Sequence, residues 1–168
     1  ARALVVTLRT EISPWEHLIV PQEVDGSRGT FRAPQATCTL SAQDDYQAVQ
    51  AWLSLQESAA TQRAYRKEAE RLMLWAIFER GKALSSLTTE DAIAYRAFLR
   101  RPSPKDRWVG PARPRTSSEW RPFQGALAPR SIAVMDLLLT AALGVGVRLA
   151  VRSVVERPPR GSVLAKGR

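Results

Sequence analysis

Hydrophobic positions recur at helical spacing in three blocks between residues 44 and 101. In the first block Tyr46, Val49, Trp52 and Leu53 fall at i, i+3, i+6 and i+7, which predicts a helix over 44–56 with Ser41 as its cap. In the second, Tyr65, Ala69, Leu72 and Ala76 repeat at 4-3-4 spacing, joined by Trp75, and predict a helix over 62–80. Ser58 or Thr61 would cap it, after a turn over 58–61, and Gly81 would stop it. A different face of this helix carries Arg63, Lys67 and Arg71 every fourth residue, with Arg66 beside them. The third block opens on Thr88-Thr89-Glu90-Asp91, whose acids suit the first turn, and ends before Pro102; Ala92, Tyr95 and Leu99 form its inward set. A fourth helix is predicted from Ser131, behind Pro129, running through 134–151.

The flanking segments read differently. Residues 1–40 hold Pro14, Pro21, Pro34, Gly26 and Gly29, which predicts an irregular arm with at most a short helix over 14–18. Trp15, Leu18, Ile19 and Val20 are its candidates for docking onto the helices. Residues 102–129 contain six prolines, Trp108 and Trp120, and are either functional or mobile, since a small bundle needs no connection of that length. The expected fold is therefore all-α: a four-helix bundle at 41–151, an irregular arm at 1–40, a long basic loop at 102–129 and a divergent, disordered tail at 152–168.

Charge changes the picture. The formal net charge is +9 over 168 residues, and eight basic residues between Arg100 and Arg130 face only Asp106 and Glu119. Such a balance fits a polyanionic partner, most often nucleic acid. Hydrophobic residues make up 45% of the chain, enough for a packed core. The single cysteine, Cys38, excludes an internal disulfide, and no Cys/His cluster suggests a metal. Cys38 is read as a small apolar residue and the chain as cytoplasmic. The longest uncharged apolar run, residues 137–147, falls short of the roughly 20 residues a bilayer requires. No small-molecule substrate or cofactor is indicated. Gly144-Val145-Gly146 is too short for a phosphate loop and lies in an apolar stretch.

Several pieces together carry a resemblance. They are Ser58 with Thr61-Gln62-Arg63-Ala64-Tyr65 and the continuation 72–75, then Leu87-Thr88-Thr89-Glu90-Asp91 with Tyr95, then Leu127-Ala128-Pro129-Arg130-Ser131-Ile132. This set resembles the core-binding (SAM-like) domain of phage-integrase-type tyrosine recombinases. The arm segments 20–26 and 31–34 and the insertion 110–123 look like one integrase subgroup. The resemblance implies a four-helix bundle that grips double-stranded DNA and serves DNA integration and recombination, nucleoid-associated, alongside other recombinase protomers. Carried onto this sequence, it makes Thr61, Arg63, Lys67, Arg130 and Ser131 contact candidates. The cationic stripe adds Arg66 and Arg71, and the basic loop adds Arg113, Arg115 and Arg121, interleaved with Trp120 and Phe123 as a clamp for DNA or a protomer.

The family's chemistry needs an Arg, a Lys, a His-x-x-Arg motif and a nucleophilic Tyr in a separate domain. The only histidine here, His17, is followed by Leu18, Ile19 and Val20, so strand transfer is not expected of this chain. The 134–151 stretch also departs from the family pattern: it lacks aromatics and holds Gly144 and Gly146, each costing a helix about 1 kcal/mol relative to Ala. A truncated or frameshifted remnant that does not bind DNA is thus one rival reading, and a small enzyme of unknown chemistry another. The ordinary alternatives to each candidate are equally concrete. The stripe could be a solvated face paired to Glu68 and Glu70, and the loop a disordered basic segment. Trp52 and Trp75 read as core, His17 as surface, Asp44-Asp45 as support for a helix start, and none of Tyr46, Tyr65 and Tyr95 as a nucleophile.

Overall fold

The computed structural model describes residues 11–34, 36 and 41–125. Cys38, Arg130, Ser131, the predicted fourth helix and the predicted tail lie outside them. Among the described residues there are four α-helices and no strand: α1 (Asp45–Ser54), α2 (Ala59–Arg80), α3 (Thr89–Arg100) and the single-turn α4 (Lys105–Trp108). Two 3-10 turns, Trp15–His17 and Leu84–Ser86, complete the regular structure.

The local reasons for each helix are visible. α1 begins where the Asp44 carboxylate accepts from the Gln47 amide at 2.8 Å, so the cap is Asp44 and not the predicted Ser41. α2 begins three residues before the predicted start because Ser58 takes the cap, its hydroxyl accepting from the Thr61 amide. It ends at Gly81, whose φ of 60° turns the chain left-handed so that the Gly81 and Lys82 amides return to the carbonyls of Ile77 and Ala76. α3 opens with a reciprocal box in which Thr88 and Asp91 each accept from the other's backbone amide.

Asp91 also fixes how α2 meets α3. Its carboxylate, fully buried, receives the Arg80 guanidinium at 2.6 Å and the Lys82 ammonium at 2.8 Å. Burial works against that charge, but hydrogen bonds from Lys82, the Thr88 amide and Arg80 outweigh it and hold the carboxyl below its usual range.

α2 is the central element. Its first turns are largely exposed, whereas every residue from 68 to 77 is buried, polar ones included. α1 contributes Val49 and Leu53, and Trp52 stacks on Tyr65 at 5.2 Å. α3 contributes Ala92, Tyr95 and Leu99. The arm seats Ile12, Trp15 and Val24 in the same core, with Leu18 and Val20 against it and Ile19 pointing out.

The connection after α3 is built inward. Trp108, Trp120 and Phe123 are core residues, and Phe98 packs edge-on to both Trp108 and Phe123. A backbone bridge between Val109 and Phe123 closes the segment, with Gly110 N donating to Phe123 O at 2.9 Å and Phe123 N to Trp108 O at 3.1 Å. Burying three large aromatic side chains stabilises this segment by several kcal/mol, at ~2 kcal/mol for each. Arg113, Arg115 and Arg121 therefore lie on a folded layer over α2.

The middle of the arm is fastened as well. The Asp45 amide donates to Asp25 O, Phe31 N donates to Ser85 O, and the Asp45 carboxylate accepts from the Ser85 amide. Gly26, at a φ of 86°, lies directly against that carboxylate. Burial pushes the Asp45 carboxyl above its ordinary value, despite the Ser85 amide.

Candidate functional site

The exposed half of α2 is roofed on one side by the arm and on another by the 109–125 layer. Between the three lies a cleft of about 470 Å³. α2 supplies Arg63, Arg66, Lys67 and Glu70, the arm supplies Glu16, and the layer supplies Arg115, Trp120 and Arg121. With Arg71 at its floor, six cations among the described residues line the cleft against two carboxylates.

These cations are not equivalent. Arg63, Arg66 and Lys67 are exposed and make no ion pair among the described residues. The Arg66 guanidinium stands 5.7 Å from the Trp15 ring, whose apolar face steadies it. Arg121 spends its donors on backbone, bonding the carbonyls of Asp106, Ser118 and Trp120. Arg115 is held from two sides. Its Nε and Nη2 reach the two Glu16 carboxylate oxygens at 2.6 Å each, and Glu70 accepts from Nη1 at 3.0 Å and Nη2 at 2.5 Å. Those Arg115 bonds hold the Glu16 carboxyl down at about 2, and the two carboxylates push Arg115 further above its ordinary value.

Arg71 requires a correction. It does not belong to an exposed stripe: only 4% of it is accessible. Its Nη1 pairs with Glu68 at 2.7 Å, its Nε donates to Pro122 O at 3.0 Å, and its guanidinium stacks over Phe123 at 4.5 Å. The reason is that the 109–125 layer covers the face of α2 that would otherwise meet water. Glu68 is buried with it, and that burial raises its carboxyl even beside Arg71. Glu68 Oε2 and the Tyr95 hydroxyl, both buried, have no hydrogen-bond partner among the described residues.

The other predicted residues scatter. Arg113 pairs with Glu119 at 3.2 Å outside the cleft. Thr61 sits half-buried in the first turn of α2, also outside it. Phe123, expected as part of a clamp, belongs to the core, while Trp120 is both a core residue and part of the cleft wall beneath Arg115. The structure thus brings together Arg63, Arg66, Lys67, Arg71, Arg115 and Arg121. Sequence reasoning missed Glu16 and gave Glu70 only as a possible partner of the stripe, whereas Trp15 docks the arm as expected. The Trp15 amide donates to Glu70 Oε1 at 3.1 Å, so one α2 carboxylate holds both the arm and Arg115. The only trace of this in the chain is the pairing of a large aromatic with an acid at Trp15-Glu16.

Among the described residues no cluster of three or more His, Cys, Asp or Glu side chains could hold a metal ion, and no helix is long and apolar enough to cross a membrane. No family model matches the chain, and neither a curated protein nor a solved structure matches it.

Proposed function

We propose that this chain binds double-stranded DNA through the cleft and the exposed half of α2. It would do so as the core-binding part of a tyrosine recombinase whose strand-transfer residues lie outside this sequence. The observation that carries the reading is the convergence of Arg63, Arg66 and Lys67 with Arg115 on one concave surface. Cations of this kind neutralise phosphates and set position along the backbone, without reading bases. The Glu16–Arg115 pair suits an ionic contact better than proton transfer: Glu16, held ionised well below neutral pH by Arg115, is a weak base near pH 7, and Arg115 keeps its proton.

Anisotropy of a labelled random duplex at 50 and 200 mM salt tests the binding half. Three unpaired cations give a log–log slope near −2.7, hence a loss of about 40-fold in affinity between those salts. Reversing Arg63, Arg66 and Lys67 together to Glu is expected to abolish binding. Unchanged affinity in that variant, or no binding by the parent, overturns the assignment. The family half has its own test in the coding DNA past residue 132, read in all frames. Finding no His-x-x-Arg with a downstream Tyr there removes the recombinase and leaves DNA binding standing.

A further inference from the structure

Arg115 is a cleft cation whose Nε–Nη2 edge already holds a two-oxygen partner side-on. A carboxylate and a phosphate present the same two-oxygen fork to the Nε–Nη2 edge of a guanidinium. Glu16 occupies that edge side-on, with both contacts at 2.6 Å. The two acids on Arg115 are held differently. Glu70 is buried, projects from the middle of α2, and also accepts the Trp15 amide. Glu16 lies on the rim, its side chain 31% exposed, on a 3-10 turn whose neighbour Trp15 is the part anchored in the core. Glu70 can therefore keep Arg115 aimed while Glu16 swings away, with no loss of core contacts.

We infer that Glu16 is a built-in competitor for phosphate: it fills the fork of Arg115 until a backbone phosphate of bound duplex displaces it. The inference rests on the DNA-binding reading above and adds how the site is regulated. Arg63, Arg66 and Lys67 make the first, loose electrostatic contact. The phosphate that reaches the back of the cleft then exchanges with Glu16 for the fork, and Arg115 becomes the contact that demands a fixed geometry. Affinity is held below what the cations alone would give, because engaging Arg115 must break an internal ion pair.

The test is a mutant cycle on the full chain, read as duplex affinity by anisotropy at fixed salt. Glu16→Gln keeps the shape and removes the charge, and tightens binding about five-fold, the equivalent of one partly exposed ion pair. Placed on Arg115→Ala, the same change gives no gain, since there is no fork to free. Glu90→Gln, an exposed acid that does not line the cleft, controls for the general effect of one fewer negative charge. Thermal melts confirm that each variant is folded. A gain in Glu16→Gln no larger than in Glu90→Gln, or one that persists on Arg115→Ala, overturns the competitor role while DNA binding survives. Absence of duplex binding by the parent overturns the DNA reading itself and the competition with it.

Discussion

Replacing Arg71 by Ala separates a structural role from a binding one. The substitution removes the 2.7 Å pair with Glu68, the bond to Pro122 O and the stacking on Phe123. Breaking a buried pair from one side costs about 3–5 kcal/mol, because the remaining charge is left without compensation. Glu68 softens this. Burial already raises its carboxyl, so it can take up a proton once Arg71 is gone, which places the cost near the lower bound of about 3 kcal/mol. For a chain of this size that corresponds to a fall of about 10 °C in Tm. Removing both partners as Glu68→Gln with Arg71→Met leaves no orphan charge and is expected to recover most of the loss. Circular dichroism melts of the three proteins read the stability. Duplex affinity, measured well below each midpoint, is expected to change less than two-fold in Arg71→Ala. A melt within about 2 °C of the parent, combined with lost duplex binding, would refute the burial argument and return Arg71 to the contact surface.

Two other perturbations bear on the carboxylate contacts of Glu16, Asp91 and Asp45. Glu16 and Asp91 both have carboxyls lowered on folding, so each contributes stability above its ordinary carboxylate value that disappears as pH falls toward its folded value, which for Glu16 is about 2. Between pH 5 and pH 2 these two pull Tm down, against Asp45 and Glu68, whose raised carboxyls gain stability in the same window; Asp91→Asn is expected to lower Tm at pH 7 and to make the change toward pH 2 less negative than the parent's, and an unchanged difference between the two pH values would exclude Asp91 as a source. Gly26→Ala places a methyl group 2.0 Å from the Asp45 carboxylate at a positive φ, and is expected to cost about 2 kcal/mol, whereas the open Gly81 position loses only its left-handed preference; equal urea midpoints for Gly26→Ala and Gly81→Ala would contradict this.

Helix identity was legible where the signal is local. Thr88 with Asp91, Gly81 after Arg80, and Pro102 after α3 each act within a few residues, and the sequence displays them directly. The stripe on α2 misled because periodicity names the faces of a helix without saying how many of them are covered. Arg71 and Lys67 look alike in sequence, one turn apart, yet the first lies under Phe123 and the second in the open. That cover comes from a layer some 50 residues away, and the clamp on Arg115 joins residues separated by 99 and 45 positions. No local pattern records such pairings. The prolines of 102–125 signalled departure from helix correctly, but not that Trp108, Trp120 and Phe123 would turn inward.

The division of α2 at residue 68 makes it a cantilever. Its far half is set in the core like a beam in masonry, and its near half, propped where Tyr65 stacks on Trp52, carries Arg63, Arg66 and Lys67. A load on the near half bends it little, because the root is buried and the span is propped by α1. The spacing between those charges is consequently stiff, and a partner must match it instead of moulding it.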